Sequence, residues 1–146
     1  MTVKFKRLEG NEDISLPKYH TEGSAAFDLH AAVKEETVIR PGEIRLIPTG
    51  FKIEFPAGYV AQLSPRSGLA LKKGISLVNT PGLVDSDYRG EVGLIMINLG
   101  REDFLVNRND RVAQMCIKKV EQADIVEARE VSDSSRGSGG YGSTGN

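Results

Sequence analysis

The stretch FKIEFPAGYVAQL, residues 51–63, decides the fold class. Phe51, Ile53 and Phe55 alternate with Lys52 and Glu54, the period of a half-buried strand. Pro56, Ala57 and Gly58 then supply turn chemistry, and a second strand is expected over Tyr59–Leu63. The alternation recurs on both sides of this stretch. Val3 and Phe5 alternate with Lys4 and Lys6, and Phe27, Leu29 and Ala31 alternate with Asp28 and His30. Val92, Leu94 and Met96 share a strand with Gly93, Ile95 and Ile97, a pattern that predicts burial of both faces. Glycines punctuate the chain at 42, 50 and 58, then at 74, 82 and 90. Short strands at such spacing predict a sandwich or barrel. SGLALKKG, residues 67–74, is the best helix candidate, with Ser67 placed to cap it. A further strand is expected over Ala123–Ala128.

Composition narrows the function. The chain has 146 residues, 39% of them hydrophobic, with 19 Lys plus Arg against 20 Asp plus Glu. That length predicts one domain with a real core. A formal net charge of -1 argues against a general nucleic-acid or membrane-surface binder. Cys116 is the single cysteine, so no internal disulfide forms and no oxidising compartment is implied. Charged residues interrupt every apolar run well short of the ~18 residues of a membrane span. The opening MTVKFKRLEG lacks the apolar core of a signal peptide. The expectation is a soluble, cytoplasmic domain with no membrane partner.

Glycine is unevenly spread. Eleven of the 16 glycines lie in residues 1–131 and five in the last fifteen. The segment SDSSRGSGGYGSTG is mostly Gly and Ser, and Tyr141 is its one apolar residue. It cannot bury enough surface to offset its own ordering entropy. The domain is therefore expected over 1–131, with a flexible arm over 132–146. A plain linker does not usually carry an Arg and an aromatic in a Gly-rich run. Such a run offers backbone N–H groups, a guanidinium and a ring that stacks.

Four clusters in the body carry candidate chemistry. In SPRSGLA, residues 64–70, a strand turns into a helix start; Ser67 is a helix cap, or Arg66, Ser67 and Gly68 form an anion site. In NTPGLVDSDYRG, residues 79–90, two acids, an aromatic and an Arg fall within five residues between Gly82 and Gly90. This is either an ordinary turn-rich loop or a hairpin that lets a planar ligand approach the backbone, with an Asp at the rim to hold and deprotonate a water. In AFDLH, residues 26–30, Asp28 and His30 face away from Phe27 and Leu29, where such side chains are ordinarily solvated. In RVAQMCI, residues 111–117, Gln114 interrupts an apolar strand and needs a partner if buried. Cys116 reads as core rather than nucleophile, since nothing basic beside it in sequence lowers its pKa. His20 receives no role, and no close His/Cys/acid spacing suggests structural zinc.

In order, the segments GSAAFDLHAA, SPRSGLA, NTPGLVDSDYRGE, RVAQMCI and RGSGGYGSTG resemble the five motifs of the trimeric dUTP pyrophosphatase (dUTPase) family. The match covers residues 23–145. It implies an all-β, distorted jelly-roll-like barrel with one short helix, assembled as a homotrimer whose sites lie between subunits under an extended C-terminal arm. It implies hydrolysis of dUTP to dUMP and pyrophosphate with Mg²⁺, which limits uracil in DNA and supplies dUMP for dTMP synthesis.

The resemblance also carries residue roles. Asp85 matches the acid that activates the attacking water. Asn79 and the backbone of Gly82, Leu83 and Val84 match the uracil-reading hairpin, with a further contact from Gly93. Tyr88 matches the ring under deoxyribose that excludes a 2′-hydroxyl. Arg66, Ser67, Gly68 and Gln114 match phosphate binders, and Asp28 the acid that holds the magnesium through water. In the arm, Arg136 matches the γ-phosphate clamp and Tyr141 the ring stacked on uracil. Gly142, Ser143 and Thr144 complete the phosphate cradle. Tyr141 stands where the family usually has Phe, and Val84 where Ile is common. Two other readings compete: a same-fold dCTP deaminase or bifunctional enzyme, which needs a Glu near cytosine C4, and a nucleotide-binding regulatory protein that has lost catalysis.

Overall fold

The computed structural model describes residues 1–140. Ten strands and one helix follow in the order β1 (Lys4–Arg7), β2 (Phe27–His30), β3 (Thr37–Ile39), β4 (Ile44–Glu54), β5 (Tyr59–Pro65), α1 (Ser67–Lys73), β6 (Ile75–Leu77), β7 (Gly82–Val84), β8 (Glu91–Asn98), β9 (Phe104–Val106) and β10 (Arg111–Lys119). One sheet has the order β1-β4-β8-β6 and a second the order β2-β10-β5-β7, with β3 and β9 forming a two-stranded ribbon. Every pairing is antiparallel, and non-sequential strands lie side by side, as in a jelly roll. The expected all-β, jelly-roll-like fold with one short helix holds, with the sheets as open layers rather than a closed ladder.

The core is where alternation places it. Phe27, Leu29, Ile53, Phe55, Ala61 and Leu63 meet Leu94, Met96 and Met115 in one buried cluster drawn from both large sheets. In β8 only one face is buried: Val92, Leu94 and Met96 point inward while Ile95 stays 38% exposed, so the expectation of two buried faces is corrected. Strand β4 is longer than its alternating part because it runs through Pro48. Its register against β8 shifts between Pro48 and Lys52, and Gly50 takes a φ of 74° there. A bulge explains how a proline sits inside a strand.

Helix α1 ends as expected, with Gly74 in the left-handed conformation and its N–H returned to Ala70 and Leu69 carbonyls. Its start differs. Arg66, in extended backbone, occupies the N-cap with no side-chain cap bond, so Ser67 is the first helical residue rather than the cap. The segment 120–131 carries no strand, which corrects the strand expected over Ala123–Ala128. Ile125, Val126 and Val131 there are 97%, 78% and 90% exposed. Their β propensity finds no ladder partner among the described residues.

Asn98 is a buried polar knot near the end of β8. It is wholly buried; its Nδ2 donates to the Ile39 carbonyl (2.8 Å) and the Glu102 carbonyl (2.8 Å), and its Oδ1 accepts from Gly100 N (2.8 Å). Asn98→Ala leaves these backbone groups without partners. It should destabilise the fold by about 2–4 kcal/mol, read as a lower denaturation midpoint at fixed protein concentration.

Candidate functional site

The chain changes sheets between β7 and β8. Val84 pairs with Ala61 in one sheet, and Glu91 pairs with Lys52 in the other. The expected hairpin over 79–90 is therefore no two-stranded ladder; its arms diverge and leave a cleft of ≈ 190 Å³ between them. Asn79, Leu83, Val84, Asp85, Tyr88 and Gly93 all line it. Gly82 closes one wall: a Cβ there would lie 3.2 Å from Leu63 Cβ and 3.3 Å from Asn79 Nδ2. Strand β7 is an edge strand, so one row of its N–H and C=O groups faces no neighbouring strand among the described residues. Asp85, at the end of β7, is exposed and also borders a wider hollow of ≈ 780 Å³ beside Gly58, Gln62 and Lys119.

The loop 85–90 is internally braced. Tyr88 N donates to Asp85 O (3.2 Å), and the Arg89 guanidinium donates to the carbonyls of Ser86 (2.8 Å) and Tyr88 (2.9 Å). The Tyr88 hydroxyl donates to the Glu91 carbonyl at 3.1 Å.

A second group of residues lies at the far end of β5. Asp28, Gln114 and Ser64 stand in register across β2, β10 and β5. Asp28 is not solvated as expected: its side chain is 13% exposed and sits between two guanidiniums, Arg66 Nε at 3.1 Å and Arg111 Nη1 at 3.2 Å. His20 Nε2 lies 3.3 Å from the same carboxylate. Arg66 Nη1 also donates to the Arg111 carbonyl (3.0 Å), while its Nη2 has no partner among the described residues. Gln114 Nε2 donates to the Pro65 carbonyl (3.1 Å), which satisfies the partner its partial burial demands. Ser67 and Gly68 are exposed at the start of α1. Cys116 is half buried rather than core, 3.9 Å from Gln62 Oε1.

Arg136 belongs to a turn of its own arm, where its Nε donates to the Gly139 carbonyl (2.8 Å). The structure brings it to neither group. Tyr141, Gly142, Ser143 and Thr144 lie outside the described residues.

The sequence reading missed three residues of this site. Arg111 was in view within RVAQMCI but without a role. His20 comes from a loop whose approach to Asp28 no local pattern encodes. Glu91 closes the NTPGLVDSDYRGE segment, yet its side chain reaches across to β4. Among the described residues, no three His, Cys, Asp or Glu side chains gather as a metal cage.

A dUTPase family model matches residues 12–145. The deoxyuridine 5′-triphosphate nucleotidohydrolase of Thermoanaerobacter sp. (strain X514) is 52% identical over 143 residues, covering 98% of this chain and 97% of that protein. Among solved structures, the Staphylococcus bacteriophage 80alpha dUTPase with dUPNHPP superposes with a TM-score of 0.88 at 24% identity over 99% of both chains. A mutant dUTPase of phage phi11 of S. aureus, whose structure concerns coordination of a structural Mg(II) ion, gives a TM-score of 0.80 at 21% identity, over 91% of this chain and 100% of that one.

His30, two residues from Asp28 on the same strand face, gives this region a pH signature. Burial pushes its pKa below the ordinary 6.5; the Asp28 carboxylate opposes this, and Arg111 adds to it. Its Nδ1 is buried without a hydrogen-bond partner. The folded chain thus resists a proton that the unfolded chain accepts, and stability present above pH 6.5 falls as pH drops through the folded value. His30→Gln should flatten the fall in stability below pH 6.5, measured as denaturation midpoint against pH.

Proposed function

Because the chain belongs to the dUTPase family, we propose that it hydrolyses dUTP to dUMP and pyrophosphate, with the base and sugar in the cleft between β7 and β8. The edge of β7 carries this reading. An unpaired strand edge presents N–H and C=O groups at fixed spacing, so a uracil edge bonds to it as a neighbouring strand would. The tight wall at Gly82 refuses a 5-methyl group, and a backbone donor facing the 4-oxygen refuses cytosine. Such hydrogen-bonded sites discriminate by roughly 10⁴–10⁵.

Asp85 at the rim of this cleft orients a water and takes its proton as oxygen bonds to the α-phosphorus. The bond from that phosphorus to the bridging oxygen breaks, and pyrophosphate leaves. Arg66, Ser67, Gly68 and Gln114 hold phosphates at the other group. Arg136, Tyr141, Gly142, Ser143 and Thr144 close over the substrate from the arm.

Asp28 suits an indirect magnesium role. Its Oδ2 faces both Arg111 and His20, while Oδ1 accepts only from Arg66 and keeps a lone pair for a metal-bound water. With one such carboxylate and no cage, the ion would be held mainly by substrate phosphates and water, the ordinary habit of Mg²⁺. When bound, it neutralises charge on the triphosphate.

Two observations support an assembly of copies with sites between subunits, which we take to be the homotrimer. Arg66 lies beyond one end of β5, whereas Asp85 lies beside the other, about 20 Å away by strand rise. In-line attack needs reacting groups within about 3.5 Å, so a second copy supplies the missing end. Ile44, Leu46, Val78, Ile95 and Leu99 are also 38–69% exposed. Ile44 and Leu46 lie opposite Ile97 and Ile95 across the β4–β8 ladder, and Val78 N bonds Ile95 O, which makes an apolar outer face fit to meet a copy.

The test is pyrophosphate release from dUTP, dTTP, dCTP and UTP, with and without Mg²⁺, alongside ammonia release from dCTP. Selective, metal-dependent cleavage of dUTP without ammonia is expected; deamination of dCTP overturns the assignment. Asp85→Asn should bind dUTP yet lose about 10²–10⁴-fold in kcat. Deleting residues 132–146 should leave a folded assembly with kcat/KM down by about 10²-fold. An unfolded truncation would make the arm structural instead.

A further inference from the structure

We propose that Gly90 and Glu91 are positioning residues for sugar selection: they hold the Tyr88 ring so that deoxyribose is accepted and ribose refused. The proposal rests on the function above and goes one step deeper into its cleft.

Tyr88 is 46% exposed on a loop between two sheets. An exposed tyrosine ordinarily moves among rotamers on the nanosecond scale. Refusing a single hydroxyl demands a ring whose place is fixed. The structure shows three holds on it. The first is space at Gly90. A Cβ built there would lie 2.2 Å from the Tyr88 Oη, 2.4 Å from Cζ and 3.0 Å from Cε2. Gly90 is not among the residues with positive φ, so this glycine is required for room under the ring and not for its backbone. Any side chain at 90 evicts the ring.

The second hold is the Tyr88 hydroxyl, which donates to the Glu91 carbonyl at 3.1 Å. The third fixes that carbonyl. Glu91 Oε1 accepts from Gly50 N at 2.7 Å, in the bulge of β4. The bulge is itself tightly packed: a Cβ at Gly50 would meet Asn11 and Ala32 at 2.9–3.1 Å, and Thr49 Oγ1 donates to the Val92 carbonyl at 2.7 Å. The ring is thus referred through Glu91 to the rigid centre of the opposite sheet. Because Tyr88 N is bonded to Asp85 O, the sugar wall and the water-activating acid share one turn.

The experiment compares kcat/KM for dUTP and UTP in the full-length protein and its variants. Gly90→Ala and Glu91→Ala should each lower the dUTP-to-UTP ratio by about 10–100-fold, the scale of a ring misplaced by about 1 Å. Glu91→Gln keeps an acceptor for Gly50 N and should retain the ratio. In a Tyr88→Ala background, Gly90→Ala should change the ratio by no more than about twofold, because the ring it displaces is gone. Equal losses on both substrates, with the ratio intact, overturn the proposal. So does a full Gly90→Ala effect without the ring. Should Gly90→Ala fail to fold by thermal melting, the Glu91→Ala and Glu91→Gln pair decides alone. A wild-type protein inert toward dUTP fails the parent function instead and takes this inference with it.

Discussion

The crossing from Val84 to Glu91 is the constraint on which the rest depends. Its two ends are locked into different ladders, against Ala61 and against Lys52. Facing sheets pack about 10 Å apart, and six residues must bridge them. Asp85 and Tyr88 stand on that bridge. Their separation is set by how Leu63, Leu94 and Met96 fill the shared core, not by the loop's own preferences. Functional groups on loops gain precision when a rigid scaffold fixes both ends. Here the scaffold also reaches into the loop, through Glu91 to Gly50 and through Gly90 beneath the Tyr88 ring.

Charge is arranged with the same economy. The chain is nearly neutral, yet Arg66 and Arg111 share one mostly buried carboxylate, Asp28. Two guanidiniums on one acid leave a local surplus of one positive charge. Asp28 holds both in place and keeps their repulsion from spreading them apart, while Arg66 Nη2 stays unpartnered among the described residues. A partly buried pair of this kind contributes little net stability. Its value lies in presenting a preorganised donor to an anion, which then meets it without side-chain ordering cost.

What the sequence made legible was local. Period-two alternation identifies β1, β2 and the second half of β4, turn chemistry at 56–58 introduces β5, and Gly74 ends α1 where its αL geometry requires. Motif order located the lining of the cleft, because Asn79 through Tyr88 are contiguous. What it hid was long-range. Nothing near Asp28 in sequence announces Arg66, 38 residues away, or Arg111, 83 residues away. The run of β4 through Pro48 defeats the rule that proline ends a central strand, since the bulge that permits it is formed against β8. The two arms of the expected hairpin look like neighbours in sequence, yet they belong to different sheets.

The strand expected at Ala123–Ala128 is the most informative miss. Ile125 and Val126 have strand-forming side chains, and the chain leaves them 97% and 78% exposed. Such a segment gains from a ladder only if it pairs with an edge, and it pairs with none of the described strands. The cleft and the Asp28 group show the same incompleteness, since they sit at opposite ends of β5. An exposed segment with apolar side chains at 125, 126 and 131, an apolar outer face on β4 and β8 and a site split in two are three separate features of one chain. Under the proposed homotrimer, a neighbouring copy supplies the missing end of the site and covers the apolar face. The pattern at 123–128 has strand propensity, but none of the described strands pairs with it, so no strand forms there.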